Sequence, residues 1–221
     1  WLVGGIASGL SPDELRKTFI IGHCAGVGEP LPKALVRATM AARANVLATA
    51  TTGCRPEAAE VLVDMLNKDV IPSVPSQGSV GAAGDLAPLA HIARVACGYK
   101  GRPADVLDYR PNPKEALALI NGVSMTAALG AIAAVRMRRV LDSAIAATAM
   151  TMEAVCAGAG CIDERLLQAR NHPGGVEIGR RLRIWLEGST QVAYENGADA
   201  FSIRSAPAVM GTLVEELRST E

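Results

Sequence analysis

Aromatic residues are scarce in this chain, which has two Trp, three Tyr and two Phe among 221 residues. Alanine, valine, leucine, isoleucine and methionine must therefore fill the core, and an alanine-rich core with so few aromatic residues favours packed helices over a sheet. The charges balance, with 22 basic and 22 acidic side chains, so no excess of Lys and Arg is available for a nucleic-acid surface. The composition predicts an all-α protein that does not bind nucleic acid.

Other signatures are also missing. The five cysteines have no paired CxxC spacing, which predicts reduced, mostly buried thiols and a cytoplasmic location. No metal-ligand spacing, P-loop, dinucleotide fingerprint or nucleophile elbow occurs, so neither a metal nor a nucleotide cofactor is expected. The apolar start of the chain lacks the basic leading segment of a signal peptide. Charges interrupt the long apolar stretch 127–155, so we expect burial in a protein or an oligomer rather than in a membrane.

Helical periodicity covers most of the chain. A capping box formed by Ser11 and Glu14, with Pro12 in the first turn, predicts a helix that runs to about Cys24. Further helices are expected at 33–49, 56–67, 87–96, 113–157 with a kink at Asn121-Gly122, 176–186, and from about Ala206. The polar link 100–113 has room for one short strand pair, and residues 158–175 are predicted to be a loop.

Residues 70–88 form the longest stretch rich in proline, glycine and serine. The prolines and glycines exclude a regular element, whereas apolar residues recur through the segment, so we expect a buried or half-buried loop. Each backbone group of a buried loop must find a partner, and long loops in compact domains are commonly functional. This segment is therefore the first candidate for a functional site.

Residues 78–91, with the sequence GSVGAAGDLAPLAH, resemble the signature of histidine and phenylalanine ammonia-lyases, a carbon–nitrogen lyase family. In that family an Ala-Ser-Gly triplet cyclises and loses water to give a methylidene-imidazolone (MIO) group, an electrophile that the backbone itself makes. The corresponding triplet here is Ala82-Ala83-Gly84. Because Ala83 has no hydroxyl to lose, the MIO group is not expected to form.

Four further segments, which contain His23, Asn121, Gly175 and Arg204, resemble the family in chain order. The resemblance places His23 near the substrate pocket, although a histidine there would equally satisfy loop carbonyls. Asn121 matches an asparagine that hydrogen-bonds near the MIO group and the substrate, although Asn-Gly is also a turn signal. Arg204 matches an arginine that pairs with the substrate carboxylate through its planar fork, and Phe201 lies beside it as a substrate-binding candidate.

The chain departs from the family mainly at polar positions. Phe201 stands where the family has a tyrosine, and Ala198 and Gly175 stand where it has glutamine. The N-terminal loop that carries the family's catalytic tyrosine has no counterpart, and the family continues for about as many residues again beyond the end of this sequence. His91, within an Ala/Leu-rich helical run, is expected to be a core or interface residue.

The resemblance implies one domain over residues 1–221, an elongated helical bundle of the ammonia-lyase (fumarase/aspartase-like) type. This fold has one buried Gly/Pro-rich loop and little or no β structure. Family members are tetramers, which implies a homo-oligomer, or a second chain that supplies the missing half.

Three interpretations of function remain open. In the first, the chain is a degenerate homologue that does not deaminate and keeps a carboxylate-binding pocket or a structural or regulatory role. In the second, it is an enzyme of the same fold with MIO-independent chemistry on a carboxylate-bearing small molecule. It would use His23, Asn121 and Arg204, with His91 or Asp85 as further candidates. In the third, it is an inactivated Ser→Ala form, or a fragment, of a genuine ammonia-lyase.

Overall fold

The protein is mostly helical, as its computed structural model shows for residues 9–192 and 199–220. The helices are α1 Pro12–Gly22, α2 Lys33–Ala48, α3 Glu57–Asn67, α4 Leu86–Ala96, α5 Pro113–Ile120, α6 Ser124–Ala154, α7 Glu164–Ala169, α8 Pro173–Trp185 and α9 Phe201–Thr220, with a 3-10 turn at Ala159–Ile162. Two short antiparallel strands, β1 Val27–Pro30 and β2 Pro75–Gln77, form the sheet. The predicted all-α class with little β structure is confirmed.

The strand pair does not lie where the sequence suggested. Residues 100–113 contain no strand, and β1 pairs instead with β2. Both strands are only three or four residues long, too short for alternation of apolar and polar residues to be recognised. Their pairing joins segments that are distant in sequence, which a local pattern cannot predict.

Local capping signals set the starts of several helices. The Ser11 hydroxyl accepts from the Glu14 N–H at 3.3 Å, and the Glu14 carboxylate accepts from the Ser11 N–H at 2.9 Å, so the predicted capping box of α1 is confirmed. A second box, formed by Asn112 and Glu115, starts α5 and was not predicted from the sequence. Pro113 occupies the first turn of α5, where its missing N–H costs nothing.

Three predicted regions differ from the structure. The helix expected over 113–157 is divided into α5 and α6, because Asn121 has an extended backbone and Gly122 has a φ of +142°. Residues 158–175 contain the 3-10 turn and α7 rather than a loop. The Asp163 carboxylate caps α7 by accepting from the Arg165 N–H at 2.8 Å. The last helix begins at Phe201, earlier than predicted, with Pro207 inside it.

The chain divides into two compact units, Trp1–Gly130 and Ala131–Glu221. Fully buried side chains in the core of the first unit include Ile20, Met40, Leu62, Leu89 and Ile120. Those in the second unit include Ile145, Met152, Ile178 and Leu182. The single domain expected over residues 1–221 stays a prediction. In the described residues, no helix combines the length and apolar character needed to cross a membrane.

Candidate functional site

The Gly-rich loop (residues 78–85) connects β2 to α4 and is held against the corner between α5 and α6. Gly84 forms a parallel bridge with Gly122, and the Asp85 N–H donates to the Gly122 carbonyl at 2.7 Å. Gly84 has a φ of +90°, and a Cβ atom there would lie 2.6 Å from the Gly122 carbonyl carbon. Both the conformation and the available space therefore require glycine at the last position of the triplet.

Asp85 connects the Gly-rich loop to α6 through its buried carboxylate. Oδ1 accepts from the Ser79 and Thr126 hydroxyls at 3.0 Å each, and Oδ2 accepts from the Thr126 N–H at 2.9 Å. Thr126 lies in the first turn of α6, where backbone N–H groups have no acceptor within the helix. Asp85 therefore caps α6 from 41 residues away and places a negative charge at the favourable end of the helix dipole.

The segment 70–88, which was expected to be buried or half-buried, is buried only near its two ends. Val74 and Asp85 are buried, whereas residues 76–83 are exposed, and the Val80 side chain reaches 86% exposure. The expected burial therefore holds for the two ends, where the hydrogen bonds and apolar contacts lie, and not for the tip. Ala82 and Ala83, the first two residues of the triplet, are both exposed.

A cleft of about 400 Å³ opens beside the Gly-rich loop. Its polar lining includes Ser76, Gln77, Ser79, Asp85 and Thr126. Its apolar lining includes Leu31, Pro88, Met125 and Leu129. A concave site with apolar walls and a few converging polar groups is typical of small-molecule binding. The cleft has space for a ligand of metabolite size.

His23 lies directly after α1 and is held by local contacts. Its Nδ1 is 2.7 Å from the Phe19 carbonyl oxygen, and the two rings lie 4.7 Å apart. This is the contact expected of a histidine that satisfies a backbone carbonyl. A part for His23 in substrate binding stays a prediction.

Asn121 is exposed and directly follows α5. Arg43 contacts residues on either side of it. The buried Arg43 guanidinium donates to the Ala118 carbonyl at the C-terminal end of α5 and lies against Gly122, where a Cβ atom would overlap it. Burial lowers the pKa of Arg43, yet a cation at a helix C-terminus is favourable. Sequence reasoning missed Arg43, since no motif distinguishes it from other arginines on a helix.

Arg204 lies in the first turn of α9, in the second unit. Its Nε donates to the Asp199 carbonyl at 3.0 Å, and its guanidinium carbon is 5.9 Å from the centre of the Phe201 ring. The Asp199 carboxylate in turn accepts from the Gly158 N–H at 2.8 Å. The arginine is thus oriented through Nε while its side chain stays exposed. Ala198, the other departure in this segment, lies outside the described residues.

Gly175, which stands where the family has glutamine, lies in the first turn of α8. A Cβ atom at Gly175 would lie 2.9 Å from the His172 Nδ1 and 3.4 Å from the Pro207 carbonyl oxygen. One residue earlier, a Cβ atom at Gly174 would overlap the Gly211 backbone of α9. The packing of α8 on α9 therefore depends on glycines, and a longer side chain at position 175 would have to displace His172.

His91 is buried in α4, in agreement with the expectation of a core residue. Its Nε2 lies close to Gly26, where a Cβ atom would be 3.2 Å away, and burial lowers the pKa of His91. Neither ring nitrogen has a hydrogen-bond partner among the residues that the structure describes. His91 therefore belongs to the packing around Gly26, the residue before β1.

Comparison with known proteins matches these features to one class of enzyme fold. The structure of histidine ammonia-lyase from Trypanosoma cruzi superposes with a TM-score of 0.80 at 33% identity, over 93% of this chain and 41% of that one. The structure of tyrosine aminomutase from Streptomyces globisporus superposes with a TM-score of 0.82 at 29% identity, over 94% of this chain and 46% of the other. The helical scaffold of this chain is therefore the one found in these enzymes.

The sequence comparisons identify the family. The family model described as aromatic amino acid lyase matches residues 8–221. Histidine ammonia-lyase from Caldanaerobacter subterraneus subsp. tengcongensis is 35% identical over 226 residues, which cover 95% of this chain and 44% of that protein. The chain belongs to the aromatic amino acid lyase family, and the resemblance predicted from its motifs is confirmed. It spans less than half the length of the curated relatives it matches.

Proposed function

We propose that this chain is a member of the family that does not deaminate aromatic amino acids, because its Gly-rich loop cannot form the MIO group. The observation that carries the proposal is the side chain at position 83, a methyl group with no oxygen to expel. The Ala82-Ala83-Gly84 triplet therefore does not fit the family's electrophile. Gly84 and Asp85 keep their backbone and carboxylate contacts, which supports a retained scaffold without the reactive group.

The proposal is tested by intact mass and by ammonia release from histidine, phenylalanine and tyrosine. We expect the mass that the sequence dictates and no ammonia, because no alkene can arise at position 83. A mass lower by two water molecules, or deamination of any of the three amino acids, would contradict the proposal.

Two serine variants show whether position 83 alone prevents MIO formation. Ala83→Ser restores the hydroxyl while leaving Gly84 and Asp85 in place, and we expect it to become lighter by two water molecules. Ala82→Ser adds the same atom one residue earlier, at a position that is also exposed, and should keep its full mass. If both variants keep their full mass, the loop has lost more than the hydroxyl.

We propose that Arg204 retains a role in binding a carboxylate. Support comes from its exposed side chain, which the Asp199 carbonyl orients by accepting from Nε. Cinnamate is titrated against the wild type, Arg204→Gln and Arg180→Gln, which removes an exposed arginine of α8. We expect binding about tenfold weaker in Arg204→Gln, since a hydrogen bond to a charged group contributes roughly 1.5–3 kcal/mol. Equal binding in all three proteins, or none, would remove this part of the proposal.

We also propose that copies of this chain associate. All six residues 135–140 of α6 are exposed: three are the large apolar residues Val135, Met137 and Val140, and the other three are arginines. Apolar surface of this kind is usually covered in an assembly. Light scattering coupled to size exclusion should give a mass that is a multiple of 22.9 kDa. A monomer at micromolar concentration would contradict association, and a partner chain of another mass would favour the alternative of a separate second half.

A further inference from the structure

A second cavity, of about 330 Å³, lies in the first unit beside the first turns of α1. The segment that follows α4 and residues 102–111 complete its walls. The basic lining residues are Arg16, Lys17, Arg102 and Arg110, and the acidic ones are Asp13, Glu14 and Asp108. None of these residues belongs to the Gly-rich loop.

The arginine side chains and the carboxylate side chains with which they pair in this cavity differ in solvent exposure. The Arg16 side chain is 16% exposed, whereas its ion-pair partner Asp13 is 79% exposed. The Arg102 side chain is 18% exposed, whereas Asp108, 2.6 Å away, is 65% exposed. Two arginines that line the cavity are therefore shielded from water, whereas their carboxylate partners are exposed to water, which screens their charge.

The other acidic residue, Glu14, is engaged elsewhere. Its carboxylate accepts from the Ser11 N–H and hydroxyl, at 2.9 and 2.7 Å, and the pKa of Glu14 is lowered by these bonds. It therefore contributes to the cap of α1 rather than to neutralising the arginines inside.

Two neutral groups complete the wall. Tyr99 lines the same cavity as Arg16 and Arg110. Burial raises the pKa of Tyr99, and the two guanidinium groups act in the opposite direction. Burial also raises the pKa of Cys97 to about 12, so the thiol adds no negative charge at neutral pH. The interior thus presents cationic and neutral hydrogen-bond donors.

We propose that this cavity binds a small oxyanion of charge −2, a phosphate monoester or a dicarboxylate. Guanidinium forks match such groups bidentately, and the volume suits a ligand of metabolite size. The site does not depend on Ala83, so a chain without MIO chemistry retains a ligand-responsive surface, as a regulatory role would require.

The test titrates inorganic phosphate and succinate by calorimetry at constant ionic strength. Saturable binding is expected for the wild type, and Arg16→Gln should weaken it about tenfold, because it removes a charge-assisted hydrogen bond. Asp108→Asn should bind several-fold more tightly, since it frees Arg102 from a competing carboxylate. Asp69→Asn is the matched control, because Asp69 pairs with Arg37 away from the cavity, and its binding should equal that of the wild type.

The gain expected in Asp108→Asn keeps the test decisive even if the loss of Arg16 disturbs the fold. Arg102 is not replaced, because its guanidinium packs on Gly98 at the end of α4 and its loss would cost stability. Absence of saturable binding in both the wild type and Asp108→Asn would overturn the proposal. So would binding that neither Arg16→Gln nor Asp108→Asn changes, or an equal effect of chloride, which would indicate general screening.

Discussion

Replacing Glu115 with alanine is expected to lower the free energy of unfolding by about 3 kcal/mol. The Glu115 carboxylate is fully buried and accepts from Arg55 Nε and Nη2 at 2.8 Å each, from the Tyr109 hydroxyl at 3.1 Å and from the Asn112 N–H at 2.9 Å. Breaking a buried pair costs about 3–5 kcal/mol. The lower end of this energy range applies here. The Arg55 side chain is half-exposed, so water can hydrate its guanidinium group once the carboxylate is gone.

The same network makes the free energy of unfolding depend on pH in the acidic range. Hydrogen bonds from Arg55 hold the pKa of Glu115 at about 2, below its usual value of 4.5. Because the folded-state pKa is the lower one, the stabilisation is present above about pH 4.5 and is lost as the pH falls towards 2. Glu115→Gln keeps the size of the side chain and removes the titration, so it should lose this part of the acid dependence.

Urea unfolding of the wild type, Glu115→Ala and Glu115→Gln between about pH 7 and pH 2 measures both effects. Glu60→Ala is the control, since Glu60 is exposed in the first turn of α3 and its loss should cost no more than about 1 kcal/mol. Equal losses in Glu115→Ala and Glu60→Ala, or an acid dependence unchanged in Glu115→Gln, would show that water replaces the network.

Gly84→Ala is expected to be the most damaging change in the Gly-rich loop. The new methyl group would lie 2.6 Å from the Gly122 carbonyl carbon and 2.7 Å from the Gly122 nitrogen, and neither backbone atom can move without displacing the α5–α6 corner. Overpacking of this kind costs about 1–3 kcal/mol, and the strain of a positive φ adds roughly 1 kcal/mol or more.

Gly81→Ala separates the cost of overpacking from the cost of a positive φ. Gly81 also has a positive φ, +70°, but no atom lies within 4 Å of a Cβ atom there, so its replacement should cost only the conformational part, about 1 kcal/mol. Guanidinium unfolding of both variants measures the difference. Equal losses would mean that the contact of Gly84 with Gly122 yields easily and does not anchor the loop.

The candidate site could be predicted from the sequence only in part. The Gly-rich loop and its missing hydroxyl are visible because the signature is a contiguous run, and the break near Asn121-Gly122 was expected as a kink. Arg43 was not predicted, because its function depends on the Ala118 carbonyl and Gly122, 75 or more residues further along the chain. The same is true of the capping contact between Asp85 and Thr126, since α6 has no local signal that points to Asp85.

The sequence by itself determined the family, the helical class, the start of α1 and the absence of a leaving oxygen at position 83. These features depend on residue types or on neighbours a few positions apart, and local hydrogen bonds follow directly from them. The tertiary structure alone decided which strands pair, which carboxylate caps α6, how deep the arginines of the second cavity lie, and why position 175 suits glycine. Those outcomes depend on contacts between distant segments, which exist only once the apolar faces of the helices have packed.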